Sequence, residues 1–140
     1  SMFGFHLDYT IRIFRELNNG NSGRTKHWSQ AHSERRAWRK ALDNACVILS
    51  NGDELAFYDH VRQPPEYMQG LIVRRVLRAK QSRYDCDSLL RGNAKECIDS
   101  LVEAGVAKDD NTKYIEWVIG VQDADRREIG PFTEVEVWKK

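Results

Sequence analysis

The sequence predicts one α+β domain over residues 1–140: a mixed four-stranded sheet with two helices packed on one face, in the order β-α-β-α-β-β. Three observations lead there. The N-terminal segment alternates apolar and polar residues. Two later stretches repeat apolar residues at helical spacing. The C-terminal part alternates again, twice. A chain of 140 residues can bury a core without disulfides or a structural metal. Its hydrophobic fraction of 41% and charged fraction of 31% fit a folded domain rather than a disordered chain.

Residues 5–14, FHLDYTIRIF, set Phe5, Leu7, Tyr9, Ile11 and Ile13 on one side and His6, Asp8, Thr10 and Arg12 on the other, as in a half-buried strand. NNGNSGRTK is a loop by its Asn and Gly content. A long helix is expected from Trp28 to Ser50. Ala31, Trp38, Leu42, Ala45 and Leu49 recur along one stripe, and Gly52 closes it. Trp28 and Trp38 read as core residues rather than platforms for stacked bases. DELAFYDHVRQ holds a short helix that Pro64-Pro65 ends. LIVRRVLRAK, 71–80, is a strand by its β-branched content, and Lys80 to Tyr84 carry it on to Asp85.

The second long helix has two candidate starts. Asn93 with Glu96 forms a capping box after Gly92, giving a helix from Ala94 to Ala104; this start is preferred. The other start is Ser88, with Asp87 or Ser88 as cap. Both bury Ala94, Ile98, Leu101 and Val102, and both stop at Gly105. KYIEWVIGVQ then alternates Ile115, Trp117, Ile119 and Val121. PFTEVEVWKK sets Val135 and Val137 against Glu134 and Glu136, and DADRREIG joins the two as an antiparallel hairpin.

No apolar run approaches the ~20 residues of a membrane span. No basic segment followed by an apolar one marks a leader. Cys46, Cys86 and Cys97 and the scattered histidines have neither zinc-site nor disulfide-framework spacing, so reduced thiols in a cytoplasmic protein are expected. Net charge is only +1, but the charges are segregated. Arg24, Lys26, Arg35, Arg36, Arg39 and Lys40 face a single acid, Glu34, between Gly20 and Lys40. Arg74, Arg75, Arg78, Lys80 and Arg83 face none between Leu71 and Tyr84. Such segregation suits phosphates, with Arg24, Lys26, Arg35, Arg39, Arg78, Lys80 and Arg83 as DNA-binding candidates. The alternative is two ordinary solvated faces.

The segment RYDCDSLLRGNAKECIDSLVEAGVAKDD, 83–110, frames its helix with acids. In an extended segment Asp85 and Asp87 aim both carboxylates to one side. Asp109 and Asp110 follow a helix of about eleven residues, or ~16 Å. They return beside the first pair only if strands 71–80 and 114–122 are neighbours. Converging carboxylates are costly unless a cation neutralises them, and their hard oxygens suit Mg²⁺ or Mn²⁺. Such a site activates a water against a phosphodiester. Lys95, in the first turn, would offset charge that grows in the transition state. Acids at these positions are also common turn formers and caps.

Residues 83–110 resemble the RusA-like endodeoxyribonucleases, Holliday junction resolvases often carried by phages and prophages. Asp85, Asp87, Leu89, Lys95, Asp99, Leu101, Ala104, Gly105, Asp109 and Asp110 match the family pattern in order. Elsewhere only the order of elements agrees: a strand, the Asn-bearing loop ELNNGNSG and a basic helix. The resemblance implies Asp85, Asp87 and Asp110 as essential metal-binding acids, with Asp109 beside them, and Lys95 as catalytic lysine. It implies Mg²⁺ as cofactor and a homodimer that cuts four-way DNA junctions. Ser88 stands where the family has asparagine, and is expected to weaken the turn or the bonding around the acids. Lys95 lies about one helical turn later than in the shortest members. The alternative is a decayed relative that binds junctions without cutting them. Trp117, Phe132 and Trp138 are candidate dimer-surface residues, unless they cover the domain's own core.

Overall fold

β1 (His6–Ile13) buries Tyr9, Ile11 and Ile13 on one face, as its period of two requires. The computed structural model describes residues 1–20 and 28–140, and places β1 within a six-stranded mixed sheet. The other strands are β2 (Cys46–Leu49), β3 (Glu54–Ala56), β4 (Gln69–Val76), β5 (Ile115–Asp123) and β6 (Phe132–Lys139). Their spatial order is β3-β2-β1-β6-β4-β5; β4 and β5 run parallel and the other pairs antiparallel. The helices are α1 (Trp28–Ala41), the single turn α2 (Phe57–His60) and α3 (Ala94–Ala104). Trp38 of α1 and Cys97 and Leu101 of α3 close the core over Ile11, Val135 and Val73, which share one face of the sheet. The α+β class and the mixed sheet therefore hold, but the sheet has six strands rather than four.

Of the two extra strands, β2 lies where a helix was expected to run on to Ser50, and β3 takes the start of DELAFYDHVRQ, ahead of the short helix α2. α1 stops at Ala41, a 3₁₀ turn covers Leu42–Asn44, and Ala45 is already extended. Asp43 and Asn44 are poor helix formers. The run Cys46–Leu49 finds partners on both sides, in β1 and β3. Gly52, at φ 93°, does not close a helix. It sits in the β2–β3 hairpin turn, where Asn51 Oδ1 accepts from the Asp53 N–H at 2.9 Å.

β5 and β6 are not a hairpin either. β4 lies between them and pairs with both. β6 fits this central place because Val135 and Val137 face the core, while Glu134 and Glu136 meet arginines on the outer face. Arg12 and Arg126 bond Glu134 at 2.9 and 2.6 Å, and Arg74 bonds Glu136 at 2.7 Å. On that outer face Trp117 lies flat on Gly70, where an added Cβ would come 2.1 Å from the indole. Phe3, Phe5 and Trp138 pack around Trp117, and Phe132 is buried beneath Arg12 and Arg126. Much of this aromatic surface thus serves the chain's own packing.

β4 ends at Val76 and does not run on to Tyr84. Lys80 has φ 69°, and the Arg78 N–H donates to Gln81 Oε1 at 2.8 Å, so a turn intervenes. α3 starts at Ala94, the preferred start, and ends at Gly105 with φ 108°. Among the described residues no helix is long and apolar enough to cross a membrane. Cys46, Cys86 and Cys97 are free thiols.

Candidate active site

The parallel pairing of β4 with β5, from Gln69 opposite Ile115 to Val76 opposite Asp123, satisfies the condition that the framed helix needed. A parallel pair requires a crossover, and residues 77–114 provide it with α3 inside. The first half of that crossover is pinned to β5. Arg75 donates to the Ser82 carbonyl at 3.0 Å and to Gln122 Oε1 at 2.9 Å, and its guanidinium lies 3.7 Å from the centre of the Tyr84 ring. The Gln122 amide in turn bonds both the N–H and the C=O of Tyr84, like a neighbouring strand.

The chain turns immediately after Tyr84. The Ser88 N–H and hydroxyl both donate to the Asp85 carbonyl, at 3.0 and 2.9 Å. Ser88 therefore closes the turn around the acids. The same turn removes the extended geometry that would aim Asp85 and Asp87 to one side. Both are exposed, and the Asp87 carboxylate is held by Arg91 one helical turn on.

Asn93 does not cap α3 with its side chain. Its Oδ1 accepts from the Asn18 N–H at 2.9 Å, and its Nδ2 donates to the Glu16 carbonyl and to Glu34 Oε1 at 3.1 and 2.8 Å. The anticipated capping box loses to the loop after β1, which takes both the oxygen and the nitrogen of the Asn93 amide. Gly92 makes this possible, since a Cβ there would lie 2.0 Å from the Asn18 carbonyl oxygen. The loop after β1, α1 and the start of α3 are thereby tied together at one residue.

In the first turn of α3, Lys95 Nζ sits 3.5 Å from Asp99 Oδ1 and 3.7 Å from Asp110 Oδ2. Burial pushes the Asp99 carboxyl above its ordinary range; the nearby Asp110 charge adds to this and Lys95 works against it. Asp109 turns its own carboxylate back onto the Asp110 N–H at 2.8 Å. From α1, Arg35 and Arg39 approach Glu103 of α3 at 3.8 and 3.4 Å. Two adjoining cavities each take in Arg35, Lys95 and Asp99; one also reaches Asp109 and Asp110. Arg78, Lys80 and Arg83 are exposed on the segment that leads to Asp85. Arg24 and Lys26 lie outside the described residues.

The structure thus brings Lys95, Asp99 and Asp110 together, with Arg35 beside them. It does not bring Asp85 and Asp87 into that group. Asp99 was absent from the expected site, although its position four residues after Lys95, on the same helix face, signals the pairing. A Mg²⁺ site needs several oxygens in near-octahedral array. The donor chemistry is present, but among the described residues no group of three or more His, Cys, Asp or Glu is placed to hold a metal ion. Lys95 and Arg91 stand against two of the carboxylates instead. As placed, the acids do not form a metal cage. No family model matches the chain, and no curated protein matches it.

Proposed function

We propose that the chain is a Mg²⁺-dependent, structure-selective endodeoxyribonuclease that resolves four-way DNA junctions as a homodimer. The observation that carries this reading is the cluster of Lys95, Asp99 and Asp110 next to Arg35, within the segment whose residues match the RusA-like pattern. Arg35, Arg39, Arg78, Lys80 and Arg83 hold phosphates, together with Arg24 and Lys26. Lys95 holds a positive charge where negative charge grows on the scissile phosphate. Asp85, Asp87 and Asp110, with Asp109, are the acids that a Mg²⁺ or Mn²⁺ requirement would depend on, and they must regroup from the arrangement above. Two matched cuts need two such centres, and one chain carries one, so a C₂ dimer is the simplest supply. Its interface would use what remains open of the outer sheet face around Trp117, Phe132 and Trp138.

A second reading has a specific observation in its favour. With Lys95 on Asp110 and Arg91 on Asp87, the chain would bind junctions without cutting them. A labelled four-way junction, incubated with and without Mg²⁺, separates the two readings. Cleavage only with Mg²⁺ supports the nuclease, binding without cleavage supports the second reading, and neither result removes both. Sedimentation at micromolar concentration should return the mass of two chains. A strict monomer that binds a junction one-to-one would remove the two-centre mechanism.

The basic residues make a separate prediction. Log affinity for the junction should fall linearly with log salt, and each of Arg35→Ala, Arg39→Ala, Arg78→Ala and Arg83→Ala should flatten the slope by roughly one contact. Arg35 and Arg39 already spend part of their charge on Glu103, so Glu103→Gln should strengthen binding. Slopes unmoved by all four arginine substitutions would dismiss the footprint.

A further inference from the structure

We propose that a cavity beside Lys95 receives one unstacked nucleobase of the bound DNA strand; the proposal rests on the nuclease reading above. The cavity measures about 270 Å³. Leu90, Ala94, Ile98, Ile115 and Val118 form its apolar walls, and Lys95, Asp99 and Asp110 its polar side. It lies at the edge of the sheet, because β5 is the outermost strand and α3 meets it from one side. Its remaining wall is the 3₁₀ turn Leu89–Arg91, brought close by Gly120, where an added Cβ would come 3.0 Å from Leu90 Cγ.

Leu90 is the informative residue. Its neighbour Leu89 is buried in the core, whereas Leu90 stays 38% exposed at the cavity. Its side chain packs over Gly120 and leaves its free surface on the cavity, open to an apolar ligand face. A nucleobase has two apolar faces and a polar edge. Branched side chains from three elements are set to meet the faces. Two carboxylates that accept and one ammonium that donates are set to meet the edge.

The position fits a nucleotide as well as the shape does. Lys95 borders both this cavity and the two that contain Arg35. A phosphate held by Lys95 and Arg35 would leave its attached sugar and base beside the apolar walls. Unstacking costs least where stacking is already interrupted, as at a branch point. The cavity therefore gives a physical reason for choosing a branch over a continuous duplex, which the phosphate contacts alone do not give.

The test uses the full chain and a synthetic four-way junction with 2-aminopurine at one position at a time near the exchange point. Its fluorescence should rise severalfold on binding at one position, as the base leaves the stack. Val118→Phe fills the cavity and should abolish the rise. Leu90→Ala, at an exposed position that folding tolerates, should cut it at least by half, and decides the matter alone if Val118→Phe does not fold. Neither should change the salt slope of binding. Salt-dependent binding with no fluorescent position, or a rise undiminished in both variants, overturns the nucleobase site and leaves the nuclease reading standing. Failure of the parent chain to bind the junction overturns both.

Discussion

Asp110→Asn is expected to lower junction cleavage by at least roughly 100-fold, while junction affinity holds or rises. The substitution keeps the size of the side chain and removes one negative charge. That charge faces Lys95 at 3.7 Å and helps push the Asp99 carboxyl up. Removing it makes the groove less repellent to a phosphate, so binding does not suffer. Folding should be almost unaffected, because Asp110 is exposed and the ion pair it loses is a surface one, worth about 0–1 kcal/mol. Cleavage is lost because the acid set proposed to support a divalent cation falls by one. Asp87→Asn should behave alike, with Arg91 freed from its partner. Single-turnover cleavage, a mobility-shift titration and a denaturation curve on each variant check the three parts separately. An Asp110→Asn protein that cuts junctions at the parent rate would sink the assignment of the acids.

The sequence made the local parts of this fold legible and left the long-range parts open. Alternation at Tyr9, Ile11 and Ile13 and at Val135 and Val137 marked β1 and β6, since one buried face dictates a period of two. Gly105 marked the end of α3, since only a residue at ease with φ 108° closes it there. The β2–β3 hairpin escaped because Leu42, Ala45 and Leu49 fit a helical stripe while Cys46–Leu49 fit a buried strand. A short apolar run does not decide between the two. The insertion of β4 between β5 and β6 escaped for a different reason: no local pattern records which strand a third one will part. Asn93 read as a cap because its nearest partners in the chain are its own helix. Its actual partners, Asn18, Glu16 and Glu34, lie 59 to 77 residues away. The candidate site divides in the same way. The pairing of Lys95 with Asp99 follows from helical spacing, whereas the turn that separates Asp85 and Asp87 from that pair is closed by the Ser88 N–H and hydroxyl on the Asp85 carbonyl, which no periodicity announces.

Lys95→Ala is expected to lower the single-turnover cleavage rate by roughly 100-fold and to leave junction affinity little changed. The side chain is 72% exposed, so its loss removes little packing and the fold should persist. Affinity survives because Arg35 lines the same cavities and the other basic residues still meet phosphates. The rate does not survive, because no other cation stands within 4 Å of both Asp99 and Asp110 among the described ion pairs. The substitution has a second, independent signature. Lys95, with a smaller contribution from Arg35, holds down an Asp99 carboxyl that burial and Asp110 both push up. Without it, Asp99 should titrate at still higher pH, a shift that carbon-detected NMR of the labelled carboxylates would read. In the variant, protons should bind to Asp99 where the parent keeps it charged, so any residual cleavage that needs the charged carboxylate should begin only at higher pH. Lys95→Arg should restore the Asp99 titration at least in part, since it returns a cation to the same turn. If Lys95→Ala instead loses affinity heavily and keeps the parent's single-turnover rate, Lys95 positions the phosphate and takes no part in stabilising the transition state.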